Sequence, residues 1–211
     1  MSANPQHSTT NKALDQQLAH FLILPFRNTP LRPNHLTTLT LCLGLTAAWL
    51  FLVAIEDLAW LAALIYMLAV FSDHLDGELA RMTGTTSSFG HDYDFVVGGI
   101  NYMCLYISIG IGLHTTAGNW TLLLGLLAGL SNPLITFLRM KMEHDFGEMA
   151  VEHPRFSVFE IEDFIYLIGP ITWLAGIIYF FVPYALGAIG YLLWTIWTYY
   201  RYRRDDNLLP R

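Results

Sequence analysis

Hydrophobic positions along this chain come in long runs rather than in the short periodic stripes of a water-soluble core. Six stretches approach the roughly 20 apolar residues that a helix needs to cross a bilayer: Leu36–Val53, Leu58–Phe71, Asp94–Leu113, Trp120–Leu138, Phe164–Phe180 and Val182–Tyr200. The second stops short at a polar stretch beginning near Asp73, so its helix is expected to continue into that stretch. Before the first run, Leu14, Leu18, Phe21 and Leu22 recur at helical spacing, with Asp15, Gln16, Gln17 and His20 facing away and Pro25 interrupting. This pattern predicts a short amphipathic helix lying on the membrane surface. Pro30 and Pro33 exclude an ordinary helix through Thr29–Asn34, and the first span is expected to begin at His35 or Leu36. Gly125, Gly129 and Ser131 place small residues near one-turn spacing in the fourth span, where they permit close helix packing in lipid. The fold class predicted is all-α integral membrane, with six transmembrane helices after the surface helix. Along the chain this reads as a disordered tail over 1–11, an amphipathic juxtamembrane segment over 12–33, a six-helix domain over 34–204 and a second tail over 205–211.

Composition agrees with lipid as the main solvent: 54% of the 211 residues are hydrophobic and 13% charged, against about 25% charged in an average soluble domain. The 11 basic residues sort completely. Lys12, Arg27 and Arg32 precede the first span, Arg81 follows the second, Arg139, Lys141 and Arg155 follow the fourth, and Arg201, Arg203, Arg204 and Arg211 follow the sixth. The positive-inside rule therefore puts both termini and the two long loops in the cytoplasm, as expected of a multi-pass protein of a bacterial inner membrane. The net charge of −6, without a basic patch interleaved with aromatics, speaks against nucleic acid as a partner.

The polar constellation lies where the second span ends and the third begins. Asp73 and Asp76 are one helical turn apart and share a face, and Asp94 opens the next helix, where it can meet them. Ionisable groups at a membrane are costly and mark function. Three converging carboxylates require a cation or protonation, and an oxygen-only ligand set suits Mg²⁺ or Mn²⁺. Gly77 and Ala80 leave room for a ligand to approach the backbone. A metal-bearing cavity with small walls suits a diphosphate ester, whose leaving-group charge the metal would neutralise. Arg139 and Lys141, at the end of the fourth span, are candidates for holding an anionic acceptor such as an alcohol phosphate, or are helix-end anchors. Glu160, Glu162 and Asp163 fit the N-terminal end of a helix dipole. His74 and Glu78 read as peripheral hydrogen-bonding residues.

Asp73, Asp76, Gly77, Ala80, Arg81, Gly90 and Asp94 fall in register on D-x2-D-G-x2-A-R-x8-G-x3-D-x3-D, a signature that resembles that of the CDP-alcohol phosphotransferases. Pro33-Asn34-His35-Leu36-Thr37 is similar to the P-N-x-L-T stretch that precedes the first helix of that family. The resemblance implies that an alcohol attacks the β-phosphorus of a CDP-linked lipid, usually CDP-diacylglycerol, with CMP leaving, in phospholipid synthesis. It implies metal on Asp73, Asp76 and Asp94, and a cytidine-diphosphate pocket of Asn34, Thr37, Gly77, Ala80 and Gly90 supported by Arg81. It further implies a small alcohol or alcohol phosphate as acceptor, and a homodimer. Where the signature ends in a fourth Asp, which the family uses as metal ligand and general base, this chain has Gly98. His91, three residues before Asp94, is one expected replacement base, working with Asp94. Asp92 is another if the helix begins after it. The remaining reading is a subunit that binds CDP-lipid without catalysis. A metal transporter using the same carboxylates is disfavoured, because such sites lie at the bilayer midplane on broken helices.

Overall fold

The computed structural model describes residues 14–147, 155–156 and 159–204, with side chains described over 18–147 and 164–204. The expected tails over 1–11 and 205–211 lie outside the described residues. The elements are α1 Leu14–Ile23, a 3₁₀ turn Leu24–Phe26, α2 Pro33–Val53, α3 Ile55–Thr83, α4 Ser88–Gly112, a single-turn α5 His114–Ala117, and α6 Trp120–Phe146. A two-residue antiparallel pairing of Arg155–Phe156 with Phe159–Glu160 follows, then a 3₁₀ helix Ile161–Leu167, α7 Ile168–Leu174 and α8 Ile177–Arg204.

Local chemistry sets these limits. Pro25 ends α1 and falls in the 3₁₀ turn. Pro33 does not delay the first long helix but starts it, at the position where its missing N–H costs nothing. The second helix runs through the whole polar stretch to Thr83, as its short apolar run requires. Ser87 caps α4, its Oγ accepting from Gly90 N at 3.0 Å, so this helix begins six residues before the expected Asp94 and carries His91 and Asp92 as well.

Among the described residues, five helices are long and apolar enough to cross a membrane: α2, α3, α4, α6 and α8. The fifth expected span is the exception. Its apolar helical part is only Phe164–Leu174, because Gly176 turns the chain at φ +107°, a conformation other residues rarely adopt. The next helix then starts at Ile177, not Val182, and takes Pro183 into its interior.

Helix α3 packs on α2, α4 on α2 and α6, and α8 on α6 and α7. The core sits between them around Phe51, Tyr66, Leu105, Tyr106, Ile109, Phe180 and Phe181. Leu123, Phe137 and Leu193 are each 60–63% exposed on the outside of the bundle, a surface suited to hydrocarbon and not to water. The expected close packing of the fourth span holds: a Cβ on Gly125 would meet Gly110 Cα of α4 at 3.0 Å. Ala19 and Ile23 of α1 are buried, with Ile23 packed beside Leu36 and Leu79, while Leu18 and Phe21 stay exposed. His20, expected to face away, instead reaches back to α3.

Candidate active site

Asp73 and Asp76 on α3 and Asp94 on α4 each bring a carboxylate oxygen to within 4.8 Å of the others. One helical turn aligns the first two, and the serine-capped start of α4 delivers the third. Asp76 is 5% exposed and accepts a 2.7 Å hydrogen bond from Thr37 Oγ1 of α2. A hydroxyl donor orients a carboxylate without cancelling its charge. The concentrated negative charge in a poorly hydrated place is relieved by a cation or by protonation. Three oxygen donors without sulfur or imidazole match a hard divalent ion.

Arg81 is not turned onto this trio. Its Nε and Nη2 donate to Glu78 Oε2 at 3.1 and 2.8 Å, and the other oxygen of Glu78 pairs with His20 Nδ1 at 2.5 Å. Glu78 is 2% exposed, so the residue read as peripheral is a buried carboxylate that positions Arg81 and ties α1 to α3. The guanidinium lies at Gly77, where a Cβ would stand 3.5 Å from Nη1. A Cβ on Gly90 would come within 3.3 Å of Asn34 Oδ1, so the start of α4 lies against the start of α2. Asn34 and Gly90 thus meet where α2 and α4 begin, and Thr37 reaches Asp76 from α2; Gly77, Ala80 and Arg81 stand on α3, Ala80 half-buried.

A cavity of about 620 Å³ opens between α3, α4, α6, α7 and α8. Asp73, Asp94 and Gly98 line it. Arg139 lines it too and donates from Nη1 to Tyr191 Oη at 2.5 Å. His74 also faces it and meets Tyr166 Oη through Nδ1 at 3.1 Å. Among the described residues, nothing lies within 4 Å of where a Cβ on Gly98 would be, so the signature's absent carboxylate leaves open space. Three expected residues stand elsewhere. His91 meets Glu143 Oε2 through Nε2 at 3.3 Å and does not line the cavity. Lys141 pairs with Asp145 at 3.0 Å one turn further along α6. Asp92 lies within α4 and is exposed. Tyr102, Asn132, Tyr166 and Tyr191, which help to shape the cavity and its polar contacts, carry no spacing signal; only the folded bundle brings them to Asp73 and Asp94. The side chains of Glu160, Glu162 and Asp163 lie outside the described residues.

The family model described as CDP-alcohol phosphatidyltransferase matches residues 31–199, well over half of the chain. Among curated proteins, none matches it.

Proposed function

The chain belongs to the CDP-alcohol phosphatidyltransferase family, and from that premise we propose that it moves the phosphatidyl group of a CDP-linked lipid, CDP-diacylglycerol first, onto an alcohol with release of CMP. The observation that carries this reading is the meeting of Asp73, Asp76 and Asp94 at the end of a cavity. These three would hold Mg²⁺ or Mn²⁺, which when bound neutralises charge on the diphosphate and its leaving group. Asn34, Thr37, Gly77, Ala80 and Gly90 receive the cytidine diphosphate on the α2 side. Arg81, held by Glu78, offers it a fixed cation. The acceptor reaches the phosphorus from the cavity side, near Arg139. Its hydroxyl proton passes to an Asp94 oxygen, since Asp94 lines the cavity and His91 does not. Six crossings with both termini in the cytoplasm, in a bacterial inner membrane, complete the proposal and put the site at the cytoplasmic end.

A second reading, a subunit that binds CDP-lipid without turning it over, is favoured by the empty place at Gly98. Release of labelled CMP from CDP-diacylglycerol by the purified protein, with and without Mg²⁺ or Mn²⁺, separates the two. Metal-dependent release is expected. Thermal stabilisation by CDP-lipid with no CMP released, whatever the alcohol, would establish the second reading instead.

A further inference from the structure

The cavity is far deeper than a small alcohol requires. On α4 its wall runs from Asp94 through Gly98 and Tyr102 to Tyr106, twelve residues, or roughly 18 Å at about 1.5 Å per residue. On α8 it runs from Phe180 to Tyr191, again on the order of 16 Å. Its polar end is the carboxylates with Arg139; its far end is Tyr106, Phe180 and Tyr184. Three of the hydroxyls and amides along the wall are engaged by the protein. Tyr106 Oη donates to the Tyr184 carbonyl at 3.3 Å, Asn132 Nδ2 to the Ala128 carbonyl at 3.0 Å, and Tyr191 Oη accepts from Arg139. A three-carbon polyol would fill only the polar end, and deeper in would give up water without gaining partners. About 620 Å³ is room for a much larger molecule, within the usual ~300–1,000 Å³ of ligand sites.

We propose that this cavity is the acceptor chamber and that the acceptor is an amphiphilic alcohol drawn from the bilayer, its hydroxylated head between Asp94 and Arg139 and its hydrocarbon chain running toward Tyr106 and Phe180. The inference rests on the transfer reading and supplies its acceptor class. Two observations give the chamber to the acceptor. The residues suited to cytidine diphosphate do not line it, and only Asp73 and Asp94 are shared with the metal trio. A phosphorus held at the carboxylates is thus approached from the chamber on the face away from the nucleotide. The acceptor oxygen forms the new P–O bond. The bond from that phosphorus to the bridging oxygen breaks with its electron pair staying on CMP, and the acceptor's proton passes by way of an Asp94 oxygen to water.

The test uses the full chain in lipid nanodiscs with Mn²⁺, and monoacylglycerol carrying a diazirine near its chain end. Photolabelling is expected on the deep wall, at Tyr102, Tyr106 or Phe180, and unlabelled monoacylglycerol should compete. CMP release should be at least about tenfold faster with monoacylglycerol than with glycerol or glycerol phosphate at equal concentration. Gly187→Leu, whose Cβ has open space and whose branch enters the chamber, should cut labelling about tenfold. Labelling without CMP release from any alcohol would keep the amphiphile chamber and sink the transfer reading. Fast release with glycerol or its phosphate, and no deep labelling, would overturn the chamber while leaving transfer intact. Labelling of the same residues by CDP-diacylglycerol bearing a diazirine chain, displacing monoacylglycerol, would give the chamber to the donor and overturn the proposal.

Discussion

At the scale of single residues, Asp76 and Gly98 define what the site can do. Asp76 is the most buried of the three carboxylates, so Asp76→Asn removes charge where solvent cannot replace it. Thermal melts are expected to show stabilisation of the native protein by Mg²⁺ or Mn²⁺ plus CDP-lipid, and loss of that stabilisation in the variant. Retention of the full metal response would remove the basis for the metal site. Gly98→Asp is the converse. One turn beyond Asp94, with nothing within 4 Å of its Cβ, the new carboxylate enters the cavity without collision. It also replaces a mid-helix glycine, which should favour the helix by up to roughly 1 kcal/mol. CMP release is expected to rise about 10²-fold or more if proton removal limits the native protein, and His91→Ala should change it little. A large loss in His91→Ala would mean that the imidazole leaves Glu143 and reaches the reacting hydroxyl. The acid trio was legible in the sequence because spacing on one helix and position at a helix start are local properties. The Glu78–Arg81–His20 linkage was not, since His20 and Glu78 are 58 residues apart and meet only because α1 folds back on α3.

At the scale of elements, the site depends on how closely α4 approaches α6. Gly110 and Gly125 meet backbone to backbone, and a Cβ on Gly125 would strike the Tyr106 carbonyl. Gly125→Leu is expected to force the two helices apart, costing about 1–3 kcal/mol as overpacking and lowering the melting temperature in detergent. Because Asp94 rides on α4, the same variant should weaken metal-dependent stabilisation; an unchanged melt and metal response would show that the pair does not set the position of α4. These helices were readable as elements because long apolar runs, prolines and the Ser87 cap are written in contiguous sequence. Their lengths were less so. Hydropathy stops counting at polar residues, yet α3 and α6 continue through them as helix, so both are longer than their apolar cores. Conversely the apolar run from Phe164 to Phe180 shows no polar break, and only the backbone turn at Gly176 divides it.

At the scale of the whole molecule, the question is whether the segment 161–174 crosses the bilayer. By length and hydropathy it falls short of the five long helices. Its contacts tell how far it reaches. Tyr166 meets His74, and Trp173 Nε1 donates to the Trp60 carbonyl at 3.1 Å. The segment therefore runs antiparallel to α3, its backbone rising roughly 11 Å from Tyr166 to Trp173. Its seven 3₁₀ residues at about 2.0 Å and seven α residues at about 1.5 Å give roughly 25 Å. That is a few ångströms less than a hydrocarbon core of about 30 Å, a mismatch that local thinning absorbs at modest cost. If the segment did not cross, α8 would carry Arg201, Arg203 and Arg204 to the side opposite Arg139, against the positive-inside rule. Single cysteines in a background without Cys42 and Cys104 decide the matter. Cysteines at Arg139 and Arg203 are expected to react with an impermeant maleimide only from the cytoplasm, and those at Gly118 and Gly176 only from the other face. Labelling of Arg203 from the face that labels Gly118 would make this a five-crossing protein, and would separate its C-terminus from the membrane face that carries Asp73, Asp76 and Asp94.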